Sequence, residues 1–175
     1  MFDDLYYPSH EVTPLTMAVI AQYDENGNPV TRILEKQNEY FVRHTPTKII
    51  NNACKFFGSS LRGRQDGTRG ICGITHKAPI AVDPGSGMYF FPTISPTNSK
   101  CSWIAHSYID QVNEGPGPNR STEIIFKNGK TVLLSVSYGS MLNQVQRTAQ
   151  YRYLLDNRIS YLRKHDADMV AEPFA

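Results

Sequence analysis

The run from Cys54 to Lys77 concentrates the side chains with the clearest chemistry. Lys55, Arg62, Arg64, Arg69 and Lys77 face the single carboxylate of Asp66, and five glycines (Gly58, Gly63, Gly67, Gly70, Gly73) are interspersed among them. Guanidinium groups supply charge-assisted donors that match phosphate, and glycine lets a backbone approach a surface closely. The hydroxyls of Ser59 and Ser60 and the adjacent rings of Phe56 and Phe57 fall in the same run. This combination suits capture of a polyanion, against the plainer reading of a solvated basic loop.

A second set of residues could hold a metal. Cys54, Cys72, His76, Cys101 and His106 are sulfur and imidazole groups, the types zinc prefers. Cys72 and His76 share a face if they lie on a strand, but Cys101 and His106, five apart, do not. No Cys-x-x-Cys pair is present, so buried thiols and hydrogen-bonded imidazoles are the better account, and no metal or other cofactor is expected. A Gly-x-Ser-x-Gly elbow, a phosphate-binding Walker loop and a dinucleotide fingerprint are all missing from the sequence, so an enzyme is not expected.

The totals set the frame. A chain of 175 residues suits one domain, expected over 1–163, with a flexible tail at 164–175. No apolar run is long enough to span a bilayer, the N-terminus (Met1-Phe2-Asp3-Asp4) is acidic, and three cysteines form no disulfide framework, so a cytoplasmic protein is expected. The net charge of +2 hides segregation. Residues 1–42 carry seven carboxylates against Arg32 and Lys36, a net −5, whereas 43–77 carry seven cations against Asp66, a net +6. Residues 141–164 carry five cations against Asp156, a net +4. A focused positive field of this kind attracts anionic partners.

The elements that must position these residues read as antiparallel-rich α+β. Strands are expected at Leu15–Tyr23, Val30–Glu35, Tyr40–Val42, Ile71–Thr75, Pro79–Val82, Met88–Phe91 and Trp103–Val112. The pair Thr122–Phe126 and Thr131–Val136 flanks Asn128-Gly129, a strong hairpin signal. Thr45-Pro46 starts an internal helix, and Gly58 is placed to end it, so Ser59–Arg69 is expected to be a loop. A final helix is expected from a Ser140 cap to about residue 163, with Leu142, Val145, Ala149, Leu155, Ile159 and Leu162 as its apolar stripe. Residues 165–175 are expected to fray.

Several stretches taken together carry a family likeness. They are Cys-Lys-Phe-Phe-Gly-Ser-Ser at 54–60 with Gly63-Arg64 and Gly67-Thr68; Thr75-His76-Lys77-Ala78-Pro79-Ile80 with Val82-Asp83-Pro84; Phe91-Pro92-Thr93; Cys101-Ser102-Trp103-Ile104-Ala105-His106; Asn128-Gly129-Lys130; and Asn143-Gln144-Val145 with Arg147-Thr148-Ala149. In content and order the chain resembles the ComK family of competence transcription factors of Gram-positive bacteria, over roughly residues 15–163. The resemblance implies a transcription activator that binds double-stranded DNA at paired AT-rich boxes, largely through the minor groove. It also implies action as a homo-oligomer, with RNA polymerase and a proteolytic adaptor as further partners. The adaptor engages the family's C-terminal region, which is represented here by only about a dozen residues after the expected last helix.

Within that frame, charge and glycine spacing nominate Arg62, Arg64 and Arg69 as groove contacts, with Lys55, Lys77 and Lys100 on phosphates and Ser59 and Ser60 beside them. Arg147 and Arg152 on the last helix come second, with a supporting role in the fold as their alternative. Two other readings compete. One is a single-stranded nucleic-acid binder that stacks bases on exposed rings such as Phe56, Phe57 or Tyr89. The other is a protein–protein module whose basic segment grips an acidic partner.

Overall fold

The computed structural model describes residues 6–7 and 10–171. The short strand β1 (Tyr6–Tyr7) is followed by β2 (Thr16–Tyr23), β3 (Pro29–Glu35) and β4 (Glu39–Val42), in which β2 and β3 form a hairpin that turns at Gly27 with φ +79°. Helices α1 (Pro46–Phe56) and α2 (Leu61–Cys72) come next, then strands β5 (Ile80–Asp83), β6 (Met88–Pro92) and β7 (Trp103–Ala105). These seven strands make one sheet in the order β1-β4-β3-β2-β7-β6-β5. Strands β8 (Ile109–Glu114), β9 (Thr122–Phe126) and β10 (Thr131–Leu134) form a second antiparallel sheet, and helix α3 (Tyr138–Ala171) closes the chain.

The large sheet is covered on both faces, which explains why its central strands are continuously apolar. Neighbouring residues on a strand point to opposite faces. Val19, Phe90 and Trp103 therefore enter a core with Ile33, Val42 and the inner side of α1 (Ile49, Ile50, Ala53). Ala18, Phe91 and Ile104 enter the other, with Ile124, Phe126 and Val132 of the small sheet and Met141 of α3. A third cluster joins Ala81, Tyr89 and Tyr151 with Ile71, Cys72 and Leu155, so α2 and α3 meet at the β5–β6 edge.

Several sequence expectations hold. Thr45 caps α1, its hydroxyl accepting from the Lys48 amide, Pro46 takes the first helical turn, and Gly58 follows the helix at φ +81°. The Asn128-Gly129 turn joins β9 to β10, with Gly129 at φ +85°. That tip also clasps the β3–β4 turn: Asn128 Nδ2 donates to the Lys36 carbonyl at 3.0 Å and Lys130 Nζ to the Glu35 carbonyl at 3.3 Å.

Others are corrected. The expected loop at Ser59–Arg69 is mostly helix α2, and it consumes Ile71 and Cys72, so no strand spans Ile71–Thr75. The expected strand Trp103–Val112 is broken by a single 3-10 turn at His106–Tyr108, where the chain leaves the large sheet for the small one. Helix α3 starts at Tyr138, and Ser137 rather than Ser140 supplies the capping hydroxyl, which accepts from the Ser140 amide at 3.3 Å. Its buried residues are Met141, Gln144, Thr148 and Tyr151, whereas Ala149 and Leu162 of the expected stripe are exposed. The helix also continues past the expected end near residue 163, reaching Ala171 within the described residues. Asp3 and Asp4, and the end of the expected tail at 172–175, lie outside the described residues.

Cys54 and Cys101 are fully buried, and burial pushes the Cys54 thiol up to about 11. Cys72 is half-buried, its S–H donating to the Thr68 carbonyl at 3.3 Å. Maleimide added to the folded protein is therefore expected to label Cys72 alone, with the other two cysteines reacting only in denaturant. Prompt labelling of Cys54 in the native state would contradict its burial on the inner face of α1.

Candidate nucleic-acid interface

Helix α2 has a glycine-rich sequence that local propensity disfavours, since each glycine is about 1 kcal/mol worse than alanine inside a helix. Tertiary anchors offset this. Ser60 Oγ accepts from the Gly63 amide at 3.0 Å, and Asn51 Oδ1 of α1 accepts from the Leu61 amide at 3.0 Å. Gly73, at φ +71°, ends the helix by donating its amide to the Arg69 carbonyl at 2.8 Å. Leu61 and Thr68 face inward and are buried. The Thr68 hydroxyl donates to the Pro79 carbonyl at 2.6 Å, which fastens α2 beside β5.

The opposite face of α2 is exposed and carries Arg62, Gly63, Asp66, Gly67, Arg69 and Gly70. Nothing lies within 4 Å of the positions that a Cβ would occupy at Gly67 and Gly70. Gly67 and Gly70 therefore have no packing role among the described residues. Arg62 and Arg69 are seven residues apart, two helical turns, and so stand in one row beside them. Among the described residues Arg69 pairs with the exposed Asp66, at 3.4 Å, a surface contact of little worth that an incoming anion exchanges readily.

The structure divides the other nominated residues into outward and inward groups. Lys55 and Lys100 are exposed, and Ser59 and Ser60 sit at the α1–α2 junction. Arg64 turns inward: its Nη2 donates to the Val82 carbonyl at 3.3 Å, and its Nε is buried without an acceptor among the described residues. Lys77, at φ +47°, reaches Ser140 Oγ at 3.5 Å. Arg147 donates to Gln144 Oε1 at 2.7 Å and to the His76 carbonyl at 2.6 Å, and burial lowers the pKa of its guanidinium. Arg152 donates to Ser107 Oγ at 2.7 Å and lies over the Tyr89 ring at 4.9 Å. Arg64 thus fastens α2 to β5, Arg147 fastens α3 to the segment after α2, and Arg152 fastens α3 to the 3-10 turn and to Tyr89 of β6, while Lys55, Arg62 and Arg69 face solvent.

One feature escapes a reading of the sequence. Lys48, on the first turn of α1, shares an open groove with Arg62, and residues 96–99 form the facing wall. The cluster of hydroxyl and cationic residues at Thr45, Thr47 and Lys48 was the available signal. Phe56 is 65% exposed and stands edge-on to the half-buried Phe57. Among the described residues, no three His, Cys, Asp or Glu side chains gather as metal ligands, and Cys72 lies on a helix rather than on a strand shared with His76. No helix among the described residues is long and apolar enough to cross a membrane.

A basic, glycine-faced helix held beside β5 at the edge of the large sheet defines a surface suited to anions. The chain belongs to the ComK family, whose family model, described as ComK protein, matches residues 7–160. It is a homologue of the competence transcription factor of Bacillus subtilis (strain 168), 39% identical over 153 residues that cover 87% of this chain and 78% of that protein. The family is one of transcription factors rather than enzymes. No solved structure matches the chain significantly.

Proposed function

We propose that this protein is a transcription activator of DNA-uptake genes that binds double-stranded DNA selectively at AT-rich boxes. The observation that carries the proposal is the outer face of α2, where Arg62 and Arg69 flank glycines with open space above them. Narrow AT-rich minor grooves have enhanced negative potential and draw inserted arginines. Readout there is degenerate, so a few arginines suffice when bending of the duplex adds contacts. The homologous transcription factor gives the biological setting. Lys55 and Lys100 contact phosphates at the flanks, and paired boxes are occupied by a homo-oligomer. RNA polymerase and a proteolytic adaptor are further partners in this reading.

A mobility-shift titration with AT-rich duplex, GC-rich duplex and single-stranded competitor tests it. The protein is expected to prefer the AT-rich duplex. Arg62→Ala with Arg69→Ala should reduce the preference for the AT-rich duplex and lower the salt slope of log K by about 2, near 0.9 for each cation withdrawn from the duplex. Equal binding to both duplexes would reduce the reading to a generic polyanion surface. Preference for the single strand would transfer the weight to Phe56 as a stacking platform.

A further inference from the structure

The geometry points to a phosphate seat in the groove between the first turn of α1, the start of α2 and the turn at residues 96–99. Its ligand is one phosphodiester of a nucleic-acid backbone. The groove holds about 500 Å³, more than a phosphate alone needs and enough to admit part of its flanking sugars. Lys48 and Arg62 both line it, no carboxylate does, and neither cation has an ion-pair partner among the described residues. Thr45, Thr47, Thr97 and Ser99 add hydroxyls to the lining. Two uncompensated cations among hydroxyl groups suit an anion, whereas pockets for apolar ligands are lined mostly by hydrophobic side chains.

The seat is held in shape before any ligand arrives. Thr47 Oγ1 donates to the Pro96 carbonyl at 2.9 Å and accepts from Trp103 Nε1 at 3.1 Å, which ties the turn and β7 to α1. The Ser95 and Thr97 hydroxyls lie 3.0 Å apart, and the Asn98 amide donates to the Ser95 carbonyl at 3.0 Å. The bond between Asn51 and the Leu61 amide fixes the start of α2 against α1. A preorganised seat spends little of its interaction energy on ordering. Because Arg62 belongs both to the seat and to the row that ends at Arg69, a phosphate held here would fix the register of α2 along the duplex. Phosphate contacts position a protein and base contacts specify its site.

This inference rests on the DNA-binding reading and deepens it. The test uses the full-length protein and Lys48→Ala, whose exposed side chain can be removed without disturbing the fold, as a thermal melt would check. Binding to AT-rich duplex is measured across a salt series and with a panel of duplexes that each carry one neutral methylphosphonate. Lys48→Ala is expected to lower the salt slope by about 0.9 and to leave the ratio of AT-rich to GC-rich affinity unchanged. One methylphosphonate position should weaken wild-type binding and weaken Lys48→Ala binding less, the remainder belonging to Arg62. Wild-type protein that binds duplex while Lys48→Ala keeps the full slope, or couples to no single phosphate, overturns the seat and spares the DNA-binding reading. Wild-type protein that binds no duplex overturns both.

Discussion

Replacing Gly67 and Gly70 with alanine is expected to stabilise this protein and weaken its DNA binding in the same stroke. Both positions lie inside α2 on its solvent face, with no atom within 4 Å of the added Cβ. Alanine is about 1 kcal/mol better than glycine at each such site, so the double variant gains about 2 kcal/mol. For a chain of this size that corresponds to a Tm rise of about 4–8 °C. Gly63 is left alone, because a Cβ there would come within 3.0 Å of Ser59 Oγ beside the Ser60 cap. The two methyl groups hold a partner surface away from the helix between Arg62 and Arg69, and a loss of about 1.4 kcal/mol in contacts is tenfold in affinity. Thermal melts and mobility shifts on the same preparations check both halves. Higher stability with unchanged affinity would take the glycine face out of the interface, and lower stability would mean that the face packs against something within the fold.

This helix also shows what the sequence conceals. Glycines at 63, 67 and 70 spaced among arginines read as a loop, because propensity counts each residue alone and misses the anchors that reach α2 from elsewhere. Asn51 lies ten residues before the amide that it satisfies, and Pro79 accepts the Thr68 hydroxyl from beyond the helix. Such long-range partners leave no periodic signal. By contrast, Thr45-Pro46 and Asn128-Gly129 declare themselves locally, through cap and turn chemistry that needs no distant partner. For the candidate site, charge segregation was legible in the sequence, whereas the direction of each arginine was not. Arg62 and Arg64 are two residues apart, yet one faces solvent and the other bonds to Val82 across the helix–strand contact.

Helix α3 repeats the lesson and leads to the largest expected loss of stability. Gln144 and Thr148 lie off the expected apolar stripe, which runs through Ala149 and Leu162. Gln144 is 1% exposed because its polar atoms are satisfied inside the protein. Its Nε2 donates to the Lys77 carbonyl at 2.9 Å and the Pro92 carbonyl at 2.7 Å, while Oε1 accepts from Arg147 Nη1 at 2.7 Å. Gln144→Leu strands two carbonyls and frees one side of the guanidinium. At about 1–3 kcal/mol for each buried group left without a partner, a total near 3 kcal/mol is expected. That lowers the Tm by about 6–12 °C. Arg147→Ala should cost less, because the His76 carbonyl it leaves is exposed and only the Gln144 oxygen is left wanting inside. Measured well below either melting temperature, DNA binding by Arg147→Ala is expected to keep the wild-type salt slope, as befits a residue that holds α3 to the segment following α2. A slope lowered by about 0.9 would instead make Arg147 a phosphate contact and extend the interface from α2 onto α3.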